Sequence, residues 1–169
     1  NIEWGAVAYL KQSSYGLGIT DITINDNGSS FGTFLTGGGT GTSYKTNIGQ
    51  STSGNITGVY DMSGGAIEYV MGNYNKTAGY SGLTVSGVPA EHIDIYSGNS
   101  VSASHLGDAI GETAGWYSDH ATFVNSSSPW FERGGFNGPG VYSGVFNFNL
   151  YTGQGHTYYG FRVVLSVKE

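Results

Sequence analysis

Residues 130–165 read WFERGGFNGPGVYSGVFNFNLYTGQGHTYYGFRVVL, a stretch in which three recognisable blocks alternate with polar spacers. The blocks are WFERGG (130–135), GVFNFN (144–149) and GFRVVL (160–165). The spacers hold Asn, Tyr, Thr, Gly and His, which are residue types suited to touching a partner rather than to chemistry. The pattern therefore indicates a fixed framework that carries a recognition surface.

The composition favours one domain that binds something other than nucleic acid. A chain of 169 residues is long enough to bury a core. It has no cysteine, which excludes a disulfide scaffold, a thiolate metal site and a Cys nucleophile. The net charge of -6 with only 6 Lys and Arg provides no basic surface for nucleic acid. The 30 glycines and 13 tyrosines are typical of a binding surface, or of a loop-rich extracellular β protein.

The sequence predicts neither a membrane span nor a leader. It has no apolar run of about 18 residues, so we expect no membrane insertion of this segment. The chain starts at Asn1 rather than Met, and we expect it to be a processed or trimmed segment with any anchor upstream.

Local patterns predict two helices and several strands. Apolar spacing favours a helix over Ile2–Tyr15, ended by Gly16, and a second one over His105–Gly115. Residues 66–71 fit a buried strand after a glycine pair. Alternation predicts a half-buried strand at 146–149 and a final strand at 161–165 with one face inward.

Residues 58–70, GVYDMSGGAIEYV, resemble a block of a known family. The block is G-x-Y-D-M-S-G-N-x-W-E-W-V of the C-type lectin fold in its formylglycine-generating-enzyme (sulfatase-modifying factor) form. WFERGG and GFRVVL are similar to the R-G-G-S-W and G-F-R segments, and IEWGAVAYL is similar to the first helix. The resemblance implies a single α+β domain over 1–169 with two short helices, small antiparallel sheets and many loops. Ile67 and Gly65 depart from the Trp and Asn of that block.

The C-terminal part looks like the variable proteins of diversity-generating retroelements. Their variable region resembles W-x-x-R-G-G, a diversified loop, G-V-F-x-F, a second diversified loop and G-F-R-V-V-L. This chain matches with Trp130, the run Arg133–Gly135, the run Gly144–Phe148 and the run Gly160–Leu165. In such systems, the template is copied with errors opposite its adenines. Asn codons of the template therefore become codons for many different residue types in the variable copy. The resemblance therefore implies a variable ligand-binding region at about 130–165.

Codon arithmetic restricts which residues belong to that region. A randomised Asn codon yields Asn, Tyr, His, Thr, Phe and Leu among others, but not Gln, Glu, Lys, Met or Trp. Gln154 and Glu132 therefore belong to the framework or come from another codon. The candidate ligand-binding residues are Phe131, Asn137, Tyr142, Asn147, Asn149, Leu150, Tyr151, Thr152, His156, Thr157, Tyr158 and Tyr159.

Catalytic and metal sites have little support in the sequence. The cysteine pair of the formylglycine-generating enzymes is missing, so their oxidase chemistry is excluded. The four histidines show no short ligand spacing, and the calcium motifs of sugar-binding lectins are absent, although a structural calcium stays open. We therefore predict no catalytic residues, no metal site and no cofactor. Asp61 and Glu68 are expected to bond to turns or to Arg133 or Arg162.

The leading hypothesis is a non-enzymatic ligand- or receptor-binding protein, diversified by a retroelement and carried extracellularly on a bacterial cell surface or a phage virion. Its partner would be a protein or glycan on a cell surface, and a homo-oligomer would add avidity. The alternative is an undiversified carbohydrate- or cell-wall-binding module of the same fold. A hydrolase or oxygenase of this fold is the third hypothesis, and it would need a convergent metal or acid cluster.

Overall fold

The computed structural model describes residues 1–18, 22, 44–46, 48–136 and 140–165. In this part the chain forms one α-helix and five strands connected by long loops. The elements are α1 (Ile2–Gln12), β1 (Ile67–Tyr74), β2 (Asp94–Tyr96), β3 (Trp130–Arg133), β4 (Phe148–Tyr151) and β5 (Tyr159–Phe161). Short 3-10 turns lie at Val85–Gly87, Ala90–His92, Val101–Ala103, Trp116–Ser118 and Gly140–Tyr142.

The five strands form one open sheet built around β1 and β3. Strand β3 pairs antiparallel with β1 on one side and with β4 on the other. Strands β2 and β5 are parallel to β1, β2 along Gly72–Tyr74 and β5 along Ile67–Tyr69. Strand β3 occupies one edge of β1. Strands β2 and β5 therefore lie end to end along the other edge of β1. The centre of the sheet is therefore antiparallel as expected, whereas the parallel edge strands were not predicted.

Helix α1 lies within the predicted range and ends earlier than Gly16. It buries Trp4 and Ala8 in a cluster that also contains Met62 and Phe146. Gly5 lets the helix approach another segment closely, because a Cβ at that position would lie 2.6 Å from the backbone carbonyl of Asp108. The apolar spacing of the first residues therefore predicted the helix and the burial of Trp4 and Ala8, but not the burial of Lys11.

The second predicted helix, over His105–Gly115, is wrong. Residues 106–115 form turns, and the positive φ angles of Gly107 (89°) and Ala109 (53°) are incompatible with an α-helix. The Asp108 carboxylate accepts hydrogen bonds from the backbone N–H of His105 and Ile110, both at 2.8 Å. Such local side-chain bonds compete with helical ones, so the segment turns although its apolar spacing suits a helix.

The predicted final strand ends at Phe161, and its expected inward face is wrong. Phe161, Val163 and Leu165 are 77%, 87% and 93% exposed. Strand β5 runs parallel to β1 and pairs with Ile67–Tyr69, while β2 occupies the same edge from Gly72 onward. The ladder beside β5 therefore cannot extend far past Phe161, and the following residues leave the sheet.

Arg133 connects β3 to the N-terminal helix and to the turn around Asp108. Its guanidinium is fully buried and donates to Asn1 Oδ1 at 2.9 Å, to the Asp108 carbonyl at 3.0 Å and to the Ala109 carbonyl at 3.1 Å. Burial lowers the pKa of Arg133 to about 10, so the group stays charged at neutral pH. The expectation that this Arg belongs to the framework is consistent with these contacts.

Arg133→Met is expected to lower the free energy of unfolding by about 3–5 kcal/mol, because it leaves several buried acceptors without their donor. Lys76→Met is the control, since Lys76 is exposed and its loss should cost less than about 0.5 kcal/mol. Urea denaturation followed by circular dichroism measures both. A loss below about 1 kcal/mol in Arg133→Met would show that the network is dispensable.

Candidate functional site

Alternation along β3 separates a core face of the sheet from an opposite face. Phe131 is fully buried, with its ring 5.1 Å from that of Tyr96 and 5.0 Å from that of Phe123. Arg133 shares this core side, because residues two apart in a strand point to the same face. Trp130 and Glu132 therefore point to the opposite face, which carries the candidate site.

The strand register brings polar and aromatic residues from four strands together on that opposite face. Glu132 of β3 pairs with Tyr69 of β1 and with Asn149 of β4. Ile67 of β1 pairs with Tyr159 of β5. Directly paired residues have their side chains on the same face of a sheet, so these five side chains are neighbours.

A pocket of about 190 Å³ opens on this face. Its walls are mainly aromatic, with a few polar side chains and one carboxyl group. The lining residues are Ile67, Glu132, Gly135, Phe136, Tyr142, Asn147, Asn149, Tyr151, Tyr158 and Tyr159. The pocket thus combines apolar walls with a few convergent polar groups, as small ligand sites commonly do.

The tyrosine rings of the pocket hold one another in place. The Tyr159 ring makes edge-to-face contacts with the rings of Tyr69, Tyr151 and Tyr158, at centroid distances of 5.2, 5.3 and 4.9 Å. Edge-to-face pairs in this range contribute about 0.5–1.5 kcal/mol each beyond the area that they bury. His156 lies at the rim, 4.0 Å from the Tyr158 ring. The aromatic wall is therefore a packed cluster around Tyr159.

Gly135 allows the loop that carries Tyr142 to lie against the end of β3. It has a φ of 67°, and a Cβ there would lie 1.9 Å from the Tyr142 carbonyl oxygen. The same carbonyl accepts a hydrogen bond from the Phe136 N–H at 3.2 Å. Asn147 supports the loop from below by donating to the Val141 carbonyl at 3.3 Å. This side of the pocket is therefore held by backbone contacts.

Glu132 is the charged residue of the pocket, and its environment disfavours ionisation. It is 2% exposed, and burial raises the pKa of its carboxyl group to about 7, although a hydrogen bond from Tyr159 opposes the shift. Its Oε1 atom has no hydrogen-bond partner within the described ranges. Burial, reinforced by the nearby Glu132 charge, likewise raises the pKa of Tyr159 and Tyr69. At neutral pH the carboxyl group is therefore divided between its two protonation states.

Half of the predicted binding residues line this pocket, namely Tyr142, Asn147, Asn149, Tyr151, Tyr158 and Tyr159. His156 and Thr157 are exposed at its rim. Asn137 lies outside the described residues.

Three predicted binding residues do not reach the pocket. Phe131 is a core residue, because its position in β3 points it to the inner face, so its prediction as a contact residue is wrong. Leu150 packs against the same core cluster. Thr152 has its hydroxyl buried, and its carbonyl accepts a hydrogen bond from the Tyr80 N–H at 2.7 Å. Asn147 does line the pocket, but it is only 3% exposed.

Codon reasoning assigned Glu132 to the framework or to another codon, and it missed this residue together with Ile67 and Phe136 as parts of the site. One signal was present in WFERGG, where the alternation of Phe131 and Arg133 inward predicts that Glu132 faces outward. Phe136 had no comparable signal, because it lies in a loop after two glycines.

Neither a metal-binding cluster nor a membrane-spanning helix is found in the part of the chain that the structure describes. No group of three or more His, Cys, Asp or Glu there is arranged to hold a metal ion. No helix among these residues is long and apolar enough to cross a membrane. Glu68 forms an ion pair with Arg162 at 2.6 Å, as one of the sequence alternatives expected.

The stability of the protein should fall as the pH rises from about 5 to about 8. Folding raises the pKa of the Glu132 carboxyl group to about 7. The group stabilises the fold at a pH where it is protonated in both the folded and the unfolded protein. This contribution is lost as the pH rises through the pKa of the folded state. Glu132→Gln removes this group, so it should recover up to about 3 kcal/mol at pH 8 and change little at pH 5. Urea denaturation at the two pH values measures the difference.

Glu91→Gln provides the control for this experiment, because it makes the same chemical change at an exposed position outside the pocket. An equal pH dependence in Glu132→Gln and the unsubstituted protein would contradict the prediction. If Glu132→Gln still loses part of its stability between pH 5 and pH 8, the remaining loss would reflect Glu68, because burial also raises the pKa of Glu68 to about 7.

No protein-family model, curated protein or solved structure matches this chain. The functional conclusion therefore depends on the sequence blocks and on the geometry of the pocket face.

Proposed function

We propose that this chain is a non-enzymatic binding protein with a C-type lectin fold, and that a retroelement diversifies its tyrosine-rich face. This binding face consists of Tyr142, Asn149, Tyr151 and the segment 156–159. It would recognise a protein or glycan on a cell surface. The carrier would be extracellular, on a bacterial cell or a phage virion.

The observation that carries the proposal is the division between blocks and spacers. The first two framework blocks supply buried residues, which are Trp130, Arg133, Val145, Phe146 and Phe148, whereas the third block, 160–165, is largely exposed. The spacers supply Tyr142, Tyr151, Tyr158 and Tyr159, which meet Asn149 of the second block around one pocket. Side chains that surround a surface pocket can be exchanged without rebuilding the core, which is the property that diversification requires.

The chemistry of the binding face supports recognition. Tyrosine provides a large amphipathic contact area at a low cost in conformational entropy, and asparagine provides adaptable hydrogen bonds. The surface is held by the register of β1, β3, β4 and β5, so few residues would need to become ordered on binding. Two or more copies in one assembly would convert a modest affinity into avidity.

The first test is the genomic DNA around the gene. The proposal expects a reverse transcriptase gene and a near-copy of the segment that encodes 131–159, differing only at adenines. The differences should fall at Tyr142, Asn149, Tyr151, Tyr158 and Tyr159, and they should spare Phe131, because a polar residue in its buried place would destabilise the core. A copy that varies at Phe131 as freely as at Tyr158 would contradict this assignment.

The same division can be measured on the protein. Tyr151→Ser and Tyr158→Ser should each cost about 1–2 kcal/mol, since these half-buried residues lose ring contacts at the pocket but leave the core intact. Phe131→Ser should cost more than about 3 kcal/mol, because it empties a buried site. Thermal denaturation compares the three variants.

If the genomic DNA contains neither the near-copy nor a reverse transcriptase gene, the proposed diversification is rejected. The chain would then be read as the undiversified carbohydrate- or cell-wall-binding module, and a glycan array with Tyr158→Ser as the negative control would test that reading. Binding that persists in Tyr158→Ser would place the ligand elsewhere.

A further inference from the structure

The pocket on the binding face has a carboxyl group enclosed by aromatic rings. Glu132 is only 2% exposed, yet it lines the pocket. Its Oε1 atom has no hydrogen-bond partner in the described part of the chain. Around it stand the rings of Phe136, Tyr142, Tyr151 and Tyr159. A buried carboxyl oxygen without a partner costs free energy, and a donor from a ligand would recover it.

The nearby cationic side chains do not neutralise this carboxyl group. Arg133 follows Glu132 in the chain but points to the other face, where it binds Asn1 and the turn at Asp108. Arg162 binds the Glu68 carboxylate. The residues that line the pocket include no Lys, Arg or His. Among the residues that the structure describes, an incoming cation would therefore meet a carboxylate with no competing ion pair.

The aromatic walls favour a cation as well. An ammonium group that lies against the face of a tyrosine or phenylalanine ring gains about 0.5–2 kcal/mol, with the higher values in desolvated sites. The cavity of about 190 Å³ is smaller than the roughly 300–1,000 Å³ of pockets that enclose whole small-molecule ligands. Its size therefore suits one slender side chain of a larger ligand better than a whole sugar ring.

We propose that this pocket binds the primary ammonium group of a lysine side chain on a protein or peptide ligand. The ammonium donates a hydrogen bond to Glu132 Oε1, and the alkyl stem lies between the tyrosine rings. The inference rests on the proposed function, because the pocket is part of the proposed binding face. Glu132 is not accessible from a randomised Asn codon, so it would be a fixed anchor among exchangeable neighbours.

Binding should depend on pH through Glu132. The titratable groups that face this carboxyl group are Tyr69 on β1, Tyr151 on β4 and Tyr159 on β5, with His156 near the rim. Burial raises the pKa of Tyr69 and Tyr159 above the usual tyrosine value, so these two residues stay neutral between pH 5 and 8. Since burial raises the pKa of Glu132 to about 7, the ionised fraction falls below pH 7, and the affinity should be about tenfold or more lower at pH 5 than at pH 8.

The test uses Nα-acetyl-lysine methylamide as the probe, titrated into the protein and followed by two-dimensional NMR. Saturable binding with shifts in Tyr151, Tyr158 and Tyr159 is expected. Glu132→Gln should weaken it at least tenfold, whereas Glu91→Gln should not. The matching norleucine compound, which lacks the ammonium, should not bind. Equal binding of the norleucine compound, or unchanged binding in Glu132→Gln, would overturn the proposal.

Two further probes separate a lysine side chain from other cations. Tetramethylammonium has no N–H to donate and glucosamine carries its ammonium on a sugar ring, so both should bind more weakly than the lysine compound. Tighter binding of either one would overturn the assignment to lysine.

A peptide and glycan array distinguishes this inference from the proposed function. A ligand that is lost in Tyr158→Ser but retained in Glu132→Gln would reject the ammonium site and leave the binding face intact. Binding of the lysine compound with no array ligand lost in Tyr158→Ser would support the site and reject the wider recognition role.

Discussion

The buried guanidinium of Arg133 joins three parts of the chain that are far apart in sequence. It binds the side chain of Asn1 beside helix α1 and two successive carbonyls of the turn at Asp108, while its own backbone belongs to β3. Tyr96 extends this network, because its hydroxyl donates to Asp108 at 2.9 Å and accepts from Asn1 at 2.6 Å. A buried charge needs its partners, so the helix, the turn and two strands have to assemble together.

The constraint on Arg133 also sets the orientation of β3, and through β3 the position of the pocket. With Arg133 and Phe131 turned inward, Glu132 has to face the other side of the sheet. The antiparallel register then places Asn149 beside it, and the parallel register of β5 brings in Tyr159. The binding face is thus the reverse side of the same strand that carries the core charge.

The proposed diversification would require a stable framework and a changeable surface to share one short stretch of sequence. The inner residues of β3 and β4 pack against the aromatic cluster of Tyr96 and Phe123, where any change of size is felt. On the opposite face Trp130 is also buried, and the outer residues of β4 are half-buried around the pocket. Glu132 belongs to both groups, since it is buried like the framework and lines the pocket like the spacers.

The sequence by itself determined the local features. The apolar spacing of Ile2–Tyr15 identified α1, and the residues after the glycine pair 64–65 identified β1. Both could be predicted because the periodicity of a helix or a strand involves residues that are close in sequence. The absence of cysteine excluded a disulfide scaffold and a Cys nucleophile, whereas the low number of basic residues only predicts that nucleic acid is not the partner. Most of the tyrosines of the pocket could also be named, since they lie between framework blocks.

Only the tertiary structure decided which of those residues meet. The segment 105–115 has helical spacing, yet Asp108 bonds to its own backbone and the turn offers its carbonyls to a distant Arg133. Residues 161–165 alternate like a strand, yet β2 occupies the edge that they would need. The role of Glu132 depends on the pairing of β3 with β1 and β4 and on the pairing of β5 with β1. Pairing partners, competing edges and buried charges are relations between distant residues, and a pattern read along the chain does not contain them.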